Sequence, residues 1–210
     1  MDGQITAYNS DNVGDLNISV PMLFKNQFGG EYDSALYIQN THASNTANFT
    51  INFFDVYGAF TCSVNGSVAP LASVSYWLPN VSCLPAVWSG GVNITSSQPI
   101  SAVGRSHVGS EVTSYNDFAA GATTMYAPML FKNQFGGAYN SALYIQNMSP
   151  SDPAHITIKF YDVFGVYSGE MSDTLASLSA RGYWIPSREM LPVVWSGGAV
   201  VTSDQPIVDI

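Results

Sequence analysis

Charge is what this sequence has least of. Only 10% of its 210 residues are Asp, Glu, Lys or Arg, and six of them are cations, leaving a formal net charge of -9. About a quarter is usual. A nucleic-acid binder needs clustered cations to displace counterions from phosphate. None cluster here, so nucleic acid is excluded as a partner, and an anionic membrane surface is disfavoured for the same reason. No stretch approaches the roughly 18 apolar residues of a membrane span, so no membrane insertion is expected. The N-terminus has no basic segment leading into an apolar one. A secreted form would have lost its signal or carry it outside this chain.

Reactive side chains are equally scarce. His42, His107 and His155 are the only imidazoles and Cys62 and Cys83 the only thiols. No His pair has metal-ligand spacing, and no Cys–His set exists. There is no GxSxG elbow, HExxH helix or phosphate loop. The Gly-Gly pairs at 29–30 and 136–137 lack the strand-to-helix setting of a phosphate cradle. Asp55 and Asp162 are the only acids kept at matching positions. Each opens an Asp-X-X-Gly turn, where a side chain that accepts a turn amide explains Asp without catalysis. A calcium site is the sharper alternative, but clustered acidic ligands are missing. The expectation is a non-catalytic protein with no catalytic residue, cofactor or metal.

What the sequence does have is hydrophobic content, 46%, with plentiful aromatic and β-branched residues. That is enough for a real core and argues against disorder. The polar remainder is Ser, Thr, Asn, Gln and Gly, a surface common on extracellular β proteins.

It also repeats. Pro21–Asn40 reads PMLFKNQFGGEYDSALYIQN and Pro128–Asn147 reads PMLFKNQFGGAYNSALYIQN, 107 positions on. The offset holds along the chain: Thr6-Ala-Tyr-Asn9 on Thr113-Ser-Tyr-Asn116, Phe54-Asp-Val-Tyr-Gly58 on Tyr161-Asp-Val-Phe-Gly165, and Trp88-Ser-Gly-Gly91 on Trp195-Ser-Gly-Gly198. A period this clear means two copies of one domain. Copy one is placed at 1–103, a short linker at 104–107 and copy two at 108–210. Alternating runs such as Phe49-Thr-Ile-Asn-Phe-Phe54 and Ser73-Val-Ser-Tyr-Trp-Leu78, punctuated by Gly, Pro and Asp turns, predict strands. A further run, Val92-Asn-Ile-Thr95, is closed by Gln98-Pro99. With no convincing helical period, the fold class is all-β: two tandem homologous β-sandwich (Ig-like) domains of about seven strands each. The stretch Met171–Arg181 has room for a helical turn, although Pro70 in its counterpart argues against a long one.

Cys62 and Cys83 both lie in copy one; copy two has Gly169 and Met190 there. Joint absence suits a pair, a disulfide worth about 3 kcal/mol in the chain-entropy model and implying an oxidising compartment. Two independent buried thiols are the alternative. Asn-X-Ser/Thr triplets at Asn17, Asn48, Asn65, Asn80, Asn93 and Asn147 are candidate glycosylation sites, to be set against coincidence in an Asn- and Ser-rich chain. Trp88, Trp195, Trp77 and Trp184 with Tyr76 and Tyr183 are candidate sugar-stacking platforms, core packing being the preferred reading. The loops holding Lys25, Asn26 and Gln27, and Lys132, Asn133 and Gln134, carry a polar trio that a core does not require. They are candidate contact loops, or the product of recent duplication.

The order Ala127-Pro128, Lys25-Asn26 with Lys132-Asn133, Ile38-Gln-Asn40 with Ile145-Gln-Asn147, and Gln98-Pro-Ile100 with Gln205-Pro-Ile207 resembles a repeat in long secreted proteins of filamentous environmental bacteria. The match spans nearly the whole chain in both copies. The resemblance implies an extracellular tandem β repeat in cell-surface or matrix proteins and supplies no catalytic residues. The cysteine pair and the Trp-Ser-Gly-Gly segments depart from it.

The expected function is therefore an extracellular structural one, in a cell-surface fibre, sheath or surface layer. The expected partners are other copies of itself, by head-to-tail or strand-addition assembly. An adhesin or carbohydrate-binding module, with glycans as partners of the aromatics and Lys-Asn-Gln loops, is the alternative.

Overall fold

The structure is a computed structural model that describes residues 13–108 and 111–210. The chain divides into two units, 1–119 and 120–210, each all-β. Unit 1 contains β1 (Asp15–Lys25), β2 (Tyr32–Asn40), β3 (Ala47–Asp55), β4 (Phe60–Val68), β5 (Ser73–Trp77), β6 (Trp88–Val108) and β7 (Glu111–Asn116). Unit 2 contains β8 (Ala122–Lys132), β9 (Ala142–Asn147), β10 (Ala154–Asp162), β11 (Tyr167–Leu175), β12 (Ala180–Trp184) and β13 (Trp195–Asp209). All strand pairings among the described residues are antiparallel.

One long strand organises each unit. The first half of β6 lies between β3 and β1, with Ile51 and Ile18 both opposite Ile94. Its second half lies between β2 and β7, with Leu36 and Tyr115 both opposite Gly104. The change of partners falls at Gln98-Pro99-Ile100, where proline has no N–H for a ladder. Gln-Pro therefore does not close the strand as its composition suggests; it marks where one strand passes from one set of neighbours to the other. β13 repeats this, pairing with β10 up to Ser203 and with β9 from Ile207, while β8 follows it to Thr202 and meets it again at Ile207.

The alternation seen in the sequence becomes burial. Along β3 the inward positions Ala47, Phe49, Ile51 and Phe53 are buried, and β10 buries Ala154, Ile156, Ile158 and Phe160 in the same rhythm. Period-two side-chain direction makes this the expected core of a sheet with one covered face. Phe53 meets Trp88 edge-on at 5.6 Å, and Phe160 meets Trp195 at 6.0 Å. Burying one such phenylalanine stabilises its unit by ~2–3 kcal/mol. Residues 171–181 hold no helix: β11 runs through Leu175 and β12 begins at Ala180.

The boundary between units differs from the one drawn on the sequence. Residues 104–107 are not a linker. They lie within β6, hydrogen-bonded to β2 on one side and β7 on the other. The first residues of the second sequence copy, through Ala119, belong to unit 1. The physical reason is the hairpin between β6 and β7, which folds the start of copy two back onto copy one.

Candidate functional site

The hairpin builds the most informative site in the molecule. Tyr115, on β7, lays its ring over Gly104 of β6; a Cβ at Gly104 would come within 2.7 Å of Tyr115 Cζ, so glycine is required there. The Tyr115 hydroxyl donates to the Met22 carbonyl on β1. Asp117 follows, with its carboxylate accepting from the Ala102 amide and the Ser101 hydroxyl, while its own N–H donates to the Ala102 carbonyl. Phe118 then exchanges both backbone hydrogen bonds with Ser19 of β1. The segment from Glu111 to Phe118 thus ties β6 to β1. Beneath it Ser19, Val20, Pro21 and Met22 are all buried.

The matching surface of unit 2 is open. Met129, the counterpart of Met22, is 53% exposed where Met22 is 3% exposed, and Tyr126, at Ser19's position, is 71% exposed where Ser19 is 1%. Between β8, the start of β9 and the end of β13 lies a cavity of about 260 Å³, bordered by Tyr126, Met129, Leu130, Ser141, Leu143 and Asp209. Asp209, at the position of Ala102, is half-buried, and desolvation raises its pKa above the ordinary carboxylate value. Nothing in the local sequence signalled this groove. Only the displaced match of Thr6–Asn9 with Thr113–Asn116, read together with the hairpin, reveals it.

The candidate contact loops turn out otherwise. Lys25 and Lys132 are buried and are not contact residues. Lys25 Nζ donates to the carbonyls of Val81 and Leu84 at 2.8 and 3.3 Å, and Lys132 Nζ to those of Arg188 and Leu191 at 2.6 and 3.1 Å. Asn26 and Asn133 extend the same work, donating to Ala86 O at 2.8 Å and Val193 O at 2.9 Å. These side chains pin the loop after β5 or β12 to the end of β1 or β8 by giving its carbonyls a donor from outside the loop. Gln27 and Gln134 bridge through their backbones to Tyr32 and Tyr139. The exposed members of these loops are Phe28 and Phe135, each at positive φ near 51° and each edge-on to the following tyrosine, Tyr32 or Tyr139.

The Ile-Gln-Asn segments are likewise structural. Asn147 is fully buried and donates to the carbonyls of Asp152, Leu175 and Ala176. It is therefore no glycosylation site, because its amide nitrogen is spent inside the fold. Asn40 makes the matching set of bonds. Asn17, Asn48, Asn65 and Asn80 are exposed, and Asn93 is half-buried against Ser19.

Cys62 and Cys83 form a disulfide, which calls for an oxidising compartment. In unit 2 the Met190 side chain occupies the corresponding space over Gly169. Asp55 and Asp162 each accept two turn amides through Oδ1, as the turn reading requires. Trp88 and Trp195 are core residues with their indole N–H on Thr61 and Ser168, whereas Trp77 and Trp184 are partly exposed. Among the described residues no three His, Cys, Asp or Glu side chains gather as metal ligands, and no helix is long and apolar enough to cross a membrane.

No family model matches this chain, and no curated protein matches it. Two solved structures are similar in part. Thermotoga maritima 1070 is 17% identical, with a TM-score of 0.42 over 50% of this chain and 94% of that one. The Anabaena sensory rhodopsin transducer is 18% identical, with a TM-score of 0.37 over 44% of this chain and 98% of that one. Likeness at this level carries no functional argument.

Proposed function

We propose that this chain is a non-catalytic structural protein of the cell exterior, a subunit or segment of a fibre, sheath or surface layer built from tandem β-sandwich repeats. The observation that carries the reading is the pairing of the start of the second sequence copy with the sheet of unit 1. Residues 111–118, which open the second sequence copy, complete the sheet of unit 1. A repeat that closes its neighbour with its own first strand is the arrangement of a strand-addition polymer, in which main-chain bonds give affinity and side-chain pockets give register. The disulfide, the uncharged polar surface and the exposed sequons Asn17, Asn48, Asn65 and Asn80 fit an extracellular, glycosylated setting.

Electron microscopy of the native material, paired with intact mass, tests this. Filaments or sheets with an axial repeat of one or two units support it. Discrete particles of the chain's own mass at every concentration overturn it.

The adhesin alternative no longer rests on the Lys-Asn-Gln loops, whose lysines are buried. What favours it is the exposure of Phe28, Phe135 and Trp184. Glycan-array retention lost on Phe28→Ala and Phe135→Ala, with assembly absent, would replace the structural reading by this one.

A further inference from the structure

We infer that the outer face of the sheet formed by β5, β2, the second half of β6 and β7 in unit 1 is a binding site for an acidic saccharide. Arg105 holds the carboxylate of the sugar, and Trp77 and Tyr37 stack on its ring. The inference goes beyond the structural reading above and does not depend on assembly.

The argument begins with the cations. The chain has six Lys and Arg side chains, and five are committed within the fold. Lys25 and Lys132 donate to loop carbonyls. Lys159 pairs with Glu170 at 3.9 Å and Arg181 with Asp173 at 2.7 Å. Arg188 donates to the Trp184 carbonyl at 3.1 Å. Arg105 differs. Among the described residues it joins no ion pair, and its Nε is buried without a hydrogen-bond partner. A buried N–H is normally satisfied. In a chain with 15 acids, a half-buried arginine that meets none of the described ones is poised for an anion from outside.

Register then shows what surrounds it. Trp77 lies opposite Ala35, Ala35 opposite Arg105, and Arg105 opposite Ser114, one row across four strands. The row faces outward, because the residues on either side of Arg105 face the core: Gly104 lies under the Tyr115 ring and the Ser106 hydroxyl meets that of Ser34 in the interior. Ala35 is 6% exposed without belonging to the core cluster, as expected of a small residue between an indole and a guanidinium. Tyr37, two residues on, shares the outer face, and it and Trp77 are 39% and 38% exposed. His107 meets the Trp77 ring edge-on at 5.8 Å and steadies it. Asp33, opposite His107, has its carboxylate on the Asn26 amide at 2.7 Å. Two strand spacings, about 10 Å, separate the backbones beneath Trp77 and Arg105, room for one sugar ring and its carboxylate. The planar guanidinium suits a carboxylate bidentately, the aromatic faces suit the C–H face of the ring, and the Ser114 hydroxyl suits a sugar hydroxyl. A neutral sugar leaves Nε unpaired. A simple anion or an acidic peptide leaves the aromatics without a ring. An acidic sugar uses both.

The test titrates trigalacturonic acid and its neutral match, maltotriose, into the full chain and follows the indole N–H resonances by NMR. The acidic trimer is expected to shift the Trp77 signal and leave Trp88, Trp195 and Trp184 in place. Maltotriose is expected to bind roughly 10-fold more weakly or worse, and so is the acidic trimer to Arg105→Gln, the size of a charge-assisted hydrogen-bonded pair. Arg105→Lys keeps the charge without the fork and is expected to weaken binding by less. It decides the matter if thermal melting shows that Arg105→Gln does not fold. Trp184→Ala, at the same position of the other repeat, is expected to bind as the wild type does. Equal binding of the two trimers, an unmoved Trp77 signal, or full affinity in both Arg105 variants overturns the site. Inorganic sulfate or a glutamate tripeptide that matches the acidic trimer at Trp77 overturns the assignment to a saccharide. Filaments that ignore the trimer overturn this site and leave the structural reading standing, whereas a chain that binds it at Trp77 yet stays monomeric at every concentration upholds the site and overturns that reading.

Discussion

The hydroxyl of Tyr115 donates to the carbonyl of Met22, a residue 93 positions earlier in the chain. The bond joins the second sequence copy to the first strand of unit 1 and seals Met22 from water, while Met129, the same residue of the other repeat, stands exposed. Two residues identical in sequence context therefore differ in environment because a single strand covers one and leaves the other open.

Removing that cover should loosen unit 1 alone. Tyr115→Ala forfeits a packed ring and a hydrogen bond, and it is expected to cost unit 1 about 2–4 kcal/mol. Gly104→Ala, whose Cβ would enter the Tyr115 ring, is expected to cost about 1–3 kcal/mol. Denaturant unfolding followed by Trp88 and Trp195 fluorescence separates the units: the unit 1 transition should fall and the unit 2 transition stay in place.

The buried lysines should prove to be stability determinants. Lys25→Met removes the ammonium that bonds the Val81 and Leu84 carbonyls, an expected loss of about 2–4 kcal/mol in unit 1. Lys132→Met should do the same to unit 2. A Lys25→Ala protein that keeps full stability but loses a bound glycan would contradict the structural role of this side chain.

Reduction should act on one unit only. The disulfide closes a loop of 21 residues, so Cys62→Ser with Cys83→Ser is expected to lower unit 1 by about 3 kcal/mol. Calorimetry with and without reductant reads this directly. Installing a second bridge through Gly169→Cys and Met190→Cys should not help unit 2, because Gly169 sits at φ 141°, where an L side chain is strained.

Acid should weaken unit 2 through Asp173. Burial pushes its carboxyl up, but hydrogen bonds from Arg181, the Thr174 amide and the Tyr183 hydroxyl outweigh this and hold its pKa below the ordinary value. The ionised form is thus favoured by folding, so its contribution is present above the unfolded-state pKa and is lost as pH falls through the lower folded one. Asp209 has the opposite sign. Its raised pKa costs unit 2 stability at neutral pH, and the cost is relieved as pH falls through the folded-state value. Melting profiles between neutral pH and pH 3 should show Asp173→Asn flattening the acid loss of unit 2 and Asp209→Asn raising its midpoint at neutral pH.

Asn147 should never carry sugar. Peptide mapping of the native protein is expected to place any glycan at Asn17, Asn48, Asn65 or Asn80. Asn147→Ala is expected to destabilise unit 2 by about 2–4 kcal/mol, since the amide that bonds the Asp152, Leu175 and Ala176 carbonyls is lost. Glycan found at Asn147 in folded protein would show that its side chain is not committed to those carbonyls.

Much of the architecture was legible in the residues themselves. The 107-residue period, the alternation along β3 and β10, the Asp-X-X-Gly turns and the cysteine pair are local patterns, and each reached its expected form. Three features were not legible. A lysine in a polar loop looks like a surface residue, and only the fold brings the Val81 carbonyl, 56 positions away, onto Lys25 Nζ. An Asn-X-Ser triplet announces a sequon, and only the fold turns Asn147 inward. Gly104-Arg-Ser-His107 looks like a joint, and only β2 and β7 on either side make it a strand.

The sequence by itself determined that the chain is two copies of one all-β domain, because period and alternation are properties of short stretches and their repetition. Which copy the residues 108–119 complete was decided by tertiary structure alone. A periodic sequence has the same content wherever it is cut, so periodicity cannot say whether a repeat's first strand closes its own sheet or its neighbour's. The hairpin at β6 and β7 makes that choice through long-range contacts, and it sets where the units divide.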